Sequence, residues 1–436
     1  MSERPGILGL WSGVGIVAAN MIGAGVFLSA GFMAQDMGPG TILLAWTVGA
    51  IVALAGARAY AAVSRLVPLS GGEYRYLSDL FHPSLGYLAG WASLLLGFSA
   101  PVAVDALAAG AFAGTLLPGA DARVVGGMLI VALTVLHAAG LQLSKWTQNG
   151  LVLVKAVLLL GFVAVGLACG HNQWPTWTPP GATAGFPLRA FAASLFFIAF
   201  AFSGWNAAVY ASEEFRSPER DVPRAMLIGC ALVAALYIAV NWVFVANLTP
   251  QRAQAVFTYE TSRVTLGHLV MQDLVGPTGA KVMSGFVIVA FVSAMSAMTF
   301  AGPRVYAAMA ADGFLPRSLV AQAGRPPAWS VALQGAIALV ILYAHELAQV
   351  MQNVGAILTL FAALTAVSLF RVRFRRSAQP GPPPLALGAA GLYAASALWM
   401  LYFGFQGKTH LLGWLLAVAA VALVAYAATP RTRETP

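Results

Sequence analysis

The chain alternates long apolar stretches with short polar loops over its whole length. An apolar helix of about 17 to 25 residues is long enough to cross the hydrocarbon core of a membrane. The pattern therefore predicts a single all-α integral membrane domain over 1–436, with about twelve transmembrane helices. These predicted spans cover residues 8–35, 41–66, 85–116, 124–143, 147–169, 188–213, 223–247, 278–311, 328–344, 347–370, 384–403 and 411–428.

The composition supports a chain whose main solvent is lipid. Hydrophobic residues make up 59% of the 436 residues and charged residues only 9%, against about 25% charged residues in an ordinary soluble domain. The net charge of +9 is spread over many loops, which argues against a nucleic-acid-binding protein. Cys169 and Cys230 lie at the ends of apolar stretches and predict no disulfide framework.

The loop charges predict an orientation. Most arginines fall in loops on the same side as both chain ends, and cytoplasmic loops are the ones enriched in Lys and Arg. Only six basic loop residues fall on the other side: Arg123, Arg189, Arg252, Arg263, Lys281 and Lys408. We expect a multi-pass protein of the cell (inner or plasma) membrane with both termini in the cytoplasm.

Familiar enzyme motifs are missing from the sequence. No two histidines are spaced by four residues, and no Gly-x-Ser-x-Gly, Walker loop or Cys-x-x-Cys occurs. Each of these patterns is needed to place a metal, a nucleophile, a phosphate or a redox pair. We therefore predict no enzyme, no cofactor and no metal site.

Two predicted spans contain glycine in the middle of an otherwise regular apolar helix. The first contains residues 20–25 and the sixth residues 203–206. Each glycine lowers helix stability by about 1 kcal/mol, so both segments are candidates for unwinding. Their positions correspond if 8–169 and 188–370 are two five-helix repeats, and an odd helix count inverts the second repeat. The alternative is that the glycines only allow close helix packing.

Four motifs, in order along residues 20–313, resemble those of a known family. They are Ile22-Gly23-Ala24-Gly25-Val26-Phe27, Pro68-Leu69-Ser70-Gly71-Gly72-Glu73-Tyr74, Phe200-Ala201-Phe202-Ser203-Gly204-Trp205-Asn206 with the loop that follows it, and Arg304-Val305-Tyr306-Ala307-Ala308-Met309-Ala310-Ala311-Asp312-Gly313. They resemble the amino acid–polyamine–organocation superfamily, and are closest to the L-type amino acid transporters and their bacterial relatives.

The resemblance implies the inverted-repeat fold named after LeuT, with helices 1 and 6 unwound at mid-membrane. Two further helices, 384–428, follow the repeats. It also implies that a substrate is held by its α-amino and α-carboxylate groups at the two helix breaks. A half-helix start presents free N–H groups and a positive dipole end, which suit a carboxylate.

On this basis the predicted substrate-binding residues lie at the two breaks. The N–H groups of Ala24, Gly25 and Val26 would bind the carboxylate, although the family often has serine where this chain has Ala24. The carbonyls of Met21, Phe200 and Ser203 would bind the amine. The remaining candidates are Ile22, Gly23, Phe202, Trp205 and Asn206. Phe200 also matches the family's aromatic gate; core packing is its alternative, and a helix–helix hydrogen bond is the alternative for Asn206.

Two ionisable residues lie inside predicted spans, where each charge costs at least about 2.5–3.5 kcal/mol and so needs a reason. Lys155 resembles the fifth-helix lysine that replaces a sodium ion in sodium-independent family members, and it is a candidate coupling residue. A purely structural lysine is the alternative. Asp105 is a second coupling candidate: it is expected to hold a proton, to balance Lys155 or Arg58, to prefer cationic substrates, or to form a structural ion pair.

These observations predict a secondary active transporter of amino acids that works by sodium-independent alternating access, with proton coupling or exchange. Neutral L-amino acids are the first choice, because none of the pocket positions predicted above is acidic. A transporter or antiporter of cationic amino acids or polyamines is the alternative and rests on Asp105. A channel or a non-transporting receptor is more distant, since no charged ring or repeated carbonyl filter is visible. The expected partners are the amino acid, protons and membrane lipids.

Overall fold

The structure, a computed structural model, describes residues 6–140, 145–171, 173–180, 185–320, 327–374, 381–406 and a few single positions within 413–424. Within these ranges every regular secondary-structure element is a helix. The α-helices are α1 (Leu10–Met21), α2 (Ala24–Met33), α3 (Pro39–Leu66), α4 (Glu73–Leu80), α5 (Pro83–Ala92), α6 (Ala100–Leu116), α7 (Ala122–Ala138), α8 (Lys145–Cys169), α9 (Leu188–Phe202), α10 (Pro218–Ala246), α11 (Pro250–Thr258), α12 (Glu260–Val264), α13 (Leu266–Ala311), α14 (Ala328–Ala344), α15 (Leu347–Phe374) and α16 (Pro384–Phe405).

Eight helical segments are long and apolar enough to cross a membrane, and three shorter apolar helices, Ala122–Ala138, Leu153–Cys169 and Ala328–Ala344, accompany them. Together they occupy the first eleven predicted spans, so the prediction of an all-α membrane architecture is confirmed. The ninth span, 328–344, has the same bounds as α14. The twelfth, 411–428, lies largely outside the described residues.

The first predicted span is two helices and not one. α1 ends at Met21, Ile22 and Gly23 have non-helical backbone angles, and α2 begins at Ala24. The two remaining backbone bonds at this point run from Ile22 N to Ala18 O (3.0 Å) and from Gly23 N to Met21 O (2.9 Å). The helix therefore breaks within the predicted segment 20–25.

The sixth predicted span is interrupted in the same way. α9 ends at Phe202, Gly204 has a φ of +102°, and a 3₁₀ helix follows over Ala207–Glu214. A φ in this left-handed region is favourable for glycine and strained for other residues. The second break therefore lies within the predicted segment 203–206. It is followed by this 3₁₀ helix and not by a second α-helix.

The third predicted span contains a distortion that the sequence pattern did not predict. Residues Ser93–Ser99 form a π-helix between α5 and α6. Pro101, early in α6, has no N–H to donate to the preceding turn, and a proline ring pushes the carbonyl four residues before it aside. Within this segment the Ser99 hydroxyl donates to Leu94 O at 2.7 Å. Single-turn π segments are common at functional sites.

A large apolar core joins most of the helices, and a smaller cluster around Tyr87, Phe98 and Tyr306 packs at α4, α5 and the end of α13. α10 packs against α1 and α3, α13 packs against α6, and α15 and α16 pack against α9. At the centre the rings of Trp46, Phe202 and Tyr237 meet, with centroid separations of 5.2 to 6.1 Å. The two broken helices are thus enclosed by unbroken ones, which fixes where their free polar groups point.

Candidate functional site

The two helix breaks lie against each other. A Cβ on Gly204 would come within 2.8 Å of the Asn20 backbone, in the last turn of α1. A Cβ on Gly25, in the first turn of α2, would overlap the Ala201 backbone in α9. Glycine at these two positions therefore lets the broken helices approach closely. The fold brings both predicted segments to one place.

The polar groups freed at the first break are bound by side chains of the chain itself. The Lys155 ammonium donates to Ile22 O (3.0 Å) and Ala19 O (3.2 Å). The Tyr237 hydroxyl donates to Met21 O at 2.6 Å. On the opposite side of the break, Ala24 N–H donates to a carboxylate oxygen of Asp105 at 2.6 Å.

The residues of the first break are buried. Lys155 and Asp105 are 1% and 2% exposed, and Met21, Ile22, Gly23, Ala24, Gly25 and Val26 are all buried. None of these residues lines the cavity that opens beside the second break. Phe200 is also buried away from that cavity. The roles predicted for these residues, in binding the substrate carboxylate and amine, in gating and in coupling, stay predictions. Lys155 and Asp105 both bind backbone groups of the first break.

The second break opens onto a cavity of about 1020 Å³, counted with its mouth. Phe202, Ser203, Trp205 and Asn206, all predicted site residues, line it. The other lining residues come from Gly204, from the end of α1, from α3, α4, α5, the π segment, α9, the 3₁₀ helix, α13, α15 and α16. Nearly every helix that surrounds the break therefore contributes residues to the cavity wall.

A carboxylate that is not among the predicted site residues is part of this cavity. Glu73, the first residue of α4, is 7% exposed and lines the wall. It accepts hydrogen bonds from Tyr60 (2.9 Å), Asn206 (2.5 Å) and Tyr210 (2.8 Å). None of the predicted pocket positions is acidic, but Glu73 joins them at this cavity, because α4 folds back between α3 and the second break.

A sequence signal for Glu73 existed. Gly71 and Gly72, directly before it, both have positive φ, and a Cβ on Gly72 would overlap the ring of Tyr210. Two adjacent glycines allow such a turn, and a carboxylate is favourable at the helix start that follows. The pattern therefore indicates a chain reversal with an acidic residue at a defined position.

The rest of the cavity wall is mostly apolar. It includes Val52, Leu195, Met298, Phe361 and Met400. Asn20, Ser93, Ser203, Asn206, Tyr210 and Thr359 supply hydrogen-bonding groups, and Glu73 is the one charged side chain among the described lining residues. A mainly apolar cavity with a few converging polar groups is typical of a small-molecule site.

Aromatic rings brace the second break. Trp205 packs edge-on against Tyr60, with 4.7 Å between ring centroids, and more distantly against Tyr393. Tyr210 packs against Phe98 of the π segment at 5.3 Å. These contacts hold Trp205 and Tyr210 in place while the backbone between them is irregular.

Polar contacts close the end of the bundle that carries α4. Tyr74 donates to Asp312 at 2.6 Å, and Arg75 pairs with the same carboxylate at 3.1 Å. Burial raises the pKa of the Tyr74 hydroxyl, and the Asp312 contact raises it further. Burial also raises the pKa of Asp79, against the opposing effect of Arg75. α4 thus links the cavity, through Glu73, to the end of α13.

A second contact at this end joins the loop after the second break to α13. Arg304 pairs with Glu214 at 3.2 Å and lies over the ring of Phe300 at 3.5 Å. Leu8 exchanges backbone hydrogen bonds with Glu214 and Arg216, both at 2.9 Å. The segment before α1 is therefore tied to the segment that follows the second break. Across the described ranges no group of three or more His, Cys, Asp or Glu is arranged to hold a metal ion.

The sequence is similar to those of known amino acid transporters. The b(0,+)-type amino acid transporter 1 of Mus musculus is 26% identical over 386 residues, which cover 85% of this chain and 76% of the relative. The large neutral amino acids transporter small subunit 2 of Mus musculus is 25% identical over 439 residues, covering 96% of this chain and 80% of the relative; the Homo sapiens protein of that name is 24% identical over the same number of residues. The amino acid permease family profile matches residues 8–428, and the chain belongs to that family of multi-pass membrane transporters.

Proposed function

We propose that this permease is a secondary active transporter that carries neutral L-amino acids by sodium-independent alternating access. The observation that carries the proposal is the cavity beside two touching helix breaks. Paired breaks in corresponding helices are a hallmark of substrate sites in inverted-repeat transporters. Irregular backbone at membrane depth is tolerated where it is buried in protein or faces a water-filled cavity, and both situations occur here.

The proposal includes the full architecture. The two repeats are 8–169 and 188–370, helices 11 and 12 cover 384–428, and both termini face the cytoplasm of a cell membrane. The breaks at Ile22–Gly23 and 203–206 support it, because each falls in the first helix of its repeat.

The substrate is proposed to bind where α1, α2 and α9 meet. Its amine faces carbonyls of Met21, Phe200 and Ser203, and its carboxylate faces the start of α2 at Ala24, Gly25 and Val26. Ile22, Gly23, Phe202, Trp205 and Asn206 surround it, and Phe200 closes over it. Because the start of α2 is buried in this conformation, binding there requires the first break to open toward the cavity.

Sodium independence is supported by Lys155. Its ammonium donates to Ala19 O and Ile22 O. A positive charge held at these carbonyls supplies the stabilisation that a bound sodium ion would otherwise supply. Buried lysines also change protonation state more readily than exposed ones. Proton coupling or exchange therefore fits the site without any further ion.

Neutral substrates fit the apolar part of the wall, where Val52, Leu195, Phe361 and Met400 offer room for an aliphatic or aromatic side chain. The second candidate is a cationic amino acid or polyamine. Glu73 favours it, because a buried carboxylate with only neutral donors around it gains from an added positive charge.

The test is binding to the purified full-length protein. Thermal shift or scintillation proximity across the twenty amino acids and common polyamines is expected to select neutral, mainly apolar amino acids. Uptake into liposomes is then expected to saturate, to need no sodium and to be stimulated by amino acid inside. Selection of lysine, arginine or polyamines would favour the second candidate, and flux that never saturates would point to a channel.

A further inference from the structure

The position expected to receive a substrate carboxylate already contains one. Asp105 of α6 accepts a hydrogen bond from Ala24 N–H, at the first residue of α2. The approach is close on both oxygens, since a Cβ on the neighbouring Gly23 would come within 3.1 and 3.3 Å of them. A carboxylate at a helix start gains from the free N–H groups and from the helix dipole.

The rest of the first break is arranged around this carboxylate. Lys155 binds carbonyls on the other side of the break, and its charge attracts that of Asp105. Neither side chain reaches the cavity wall. In this conformation the first break is therefore complete without a ligand, whereas the second break is open.

The cavity itself offers a substrate carboxylate no better place. Its described lining contains no lysine, arginine or histidine, and its one charged side chain, Glu73, would repel an anion. The start of α2 offers N–H donors on a helix that contacts the second break, and Asp105 occupies its first donor. A substrate carboxylate must compete with Asp105 for that position.

We propose that Asp105 is a specificity-determining residue that acts as a tethered stand-in for the substrate carboxylate. It fills the start of α2 in the unloaded protein and yields the Ala24 N–H when an amino acid binds. The displaced carboxylate stays beside the opposite charge of Lys155. Substrate binding thereby changes the charge environment of the lysine. This inference rests on the proposed function and adds a competitor to it.

A satisfied structural ion pair is the competing explanation, and the two make different predictions. A structural Asp105 affects all ligands equally, through stability. A competing Asp105 affects only ligands that bring a carboxylate. Comparing an amino acid with its amide and with its decarboxylated amine separates the two explanations, because the three share a side chain and an amine.

The experiment uses leucine, leucinamide and isoamylamine as probes on the full-length protein and on Asp105→Asn and Asp105→Ser. If another amino acid binds more tightly, the same trio is made from it. The affinity for leucine is expected to rise about tenfold in Asp105→Asn, because a charge-assisted hydrogen bond is roughly twice as strong as a neutral one. The affinities for leucinamide and isoamylamine are expected to stay within about twofold, since neither contains the competing anion.

Asp273→Asn is the matched control. Asp273 pairs with Arg252 in an exposed ion pair, so the same chemical change there should leave all three affinities unaltered. Asp105→Ser provides a second, shorter replacement if the asparagine variant unfolds.

The inference is overturned if leucine and leucinamide shift together, or if neither shifts. Tighter binding of isoamylamine than of leucine by the unmodified protein, unchanged in Asp105→Asn, would also overturn it, because Asp105 would then keep its position throughout. If the unmodified protein binds none of the twenty amino acids, the proposed function fails as well. That result differs from a normal binding profile that is merely insensitive to Asp105.

Discussion

The two helix breaks face the same physical problem and solve it in different ways. At the first, Lys155, Tyr237 and Asp105 bind the freed carbonyls and N–H group, and the site is closed to solvent. At the second, the irregular backbone from Ser203 to Asn206 lines an open cavity. One break is matched by tethered side chains, and the other faces the space that a ligand can enter.

The difference shows two ways in which a membrane protein can stabilise an interrupted helix. An unsatisfied buried polar group costs about 1–3 kcal/mol, so a break without partners would destabilise the fold. Side chains remove this cost at the first break without any substrate. At the second break the turn bonds Ser203 N to Phe200 O (3.0 Å) and Trp205 N to Phe202 O (3.3 Å) remove part of it. The first break is therefore stabilised mainly by side chains of distant helices, and the second mainly by turn bonds of its own backbone.

The largest effect is expected where the two breaks touch. Gly25→Val places a branched side chain onto the Ala201 backbone and should abolish binding of amino acids, at least about a hundredfold, because overpacking costs about 1–3 kcal/mol and restores helix at the break. Binding and thermal unfolding are measured together. Gly15→Val, in α1 with open space around it, is the control. Retained affinity in Gly25→Val would contradict the assignment of this break to the substrate carboxylate.

A large effect is also expected from removing the cation of the first break. Lys155→Ala leaves Ala19 O and Ile22 O without their donor and should reduce transport at least tenfold, a change of about 1.4 kcal/mol, with expression intact. Liposome uptake over a pH series is the measurement. Lys281→Ala, at an exposed lysine of α13, is the control. Unchanged transport with an unchanged pH profile would rule out a coupling role for Lys155.

At the second break a moderate effect is expected from Glu73→Gln. The amide presents N–H groups to at least one of the donors Tyr60, Asn206 and Tyr210, and one mismatched buried bond costs about 1–3 kcal/mol. Substrate affinity should fall about tenfold. Glu260→Gln, at the exposed first residue of α12, is matched in type and helix position. A loss confined to cationic ligands would instead support the second candidate function.

The smallest effect is expected at Asp79, at the far end of α4. Asp79 is an exposed residue, but partial burial of its carboxyl raises its pKa in the folded protein. The protonated form therefore stabilises the fold slightly at low pH, and this small contribution, reduced by solvent screening, is lost as the pH rises through the raised pKa. Asp79→Asn should therefore raise the melting temperature by about 1 °C at pH 7.5 and not at pH 4. Scanning fluorimetry at both pH values is the measurement. A gain of equal size at both would contradict this origin.

Much of the architecture could be predicted because the signals are local. The apolar stretches predicted eleven spans that the described helices occupy, with both ends of α14 correct, although α13 begins at Leu266 and not at 278. Gly23, Gly25 and Gly204 marked the breaks, since glycine destabilises a helix wherever it stands. The four family motifs then predicted that the two breaks belong to one site.

Other features depended on contacts between residues distant in sequence. Glu73 reaches the cavity only because α4 turns back beneath the second break. Tyr237 and Asp105 meet the first break from α10 and α6, and no pattern along either helix shows which face will point there. The π segment at Ser93–Ser99 has a local cause in Pro101, yet its place in the cavity wall is a matter of packing.

The sequence by itself determined that the chain crosses a membrane many times, where most of its long apolar helices lie, and where two of them break. Those properties follow from side-chain hydrophobicity and from the backbone freedom of glycine, which act over a few residues. Only the tertiary structure decided which freed polar groups would find partners. That outcome depends on which distant side chains the packing brings within hydrogen-bond distance, and here it closed the first break and left the second facing the cavity.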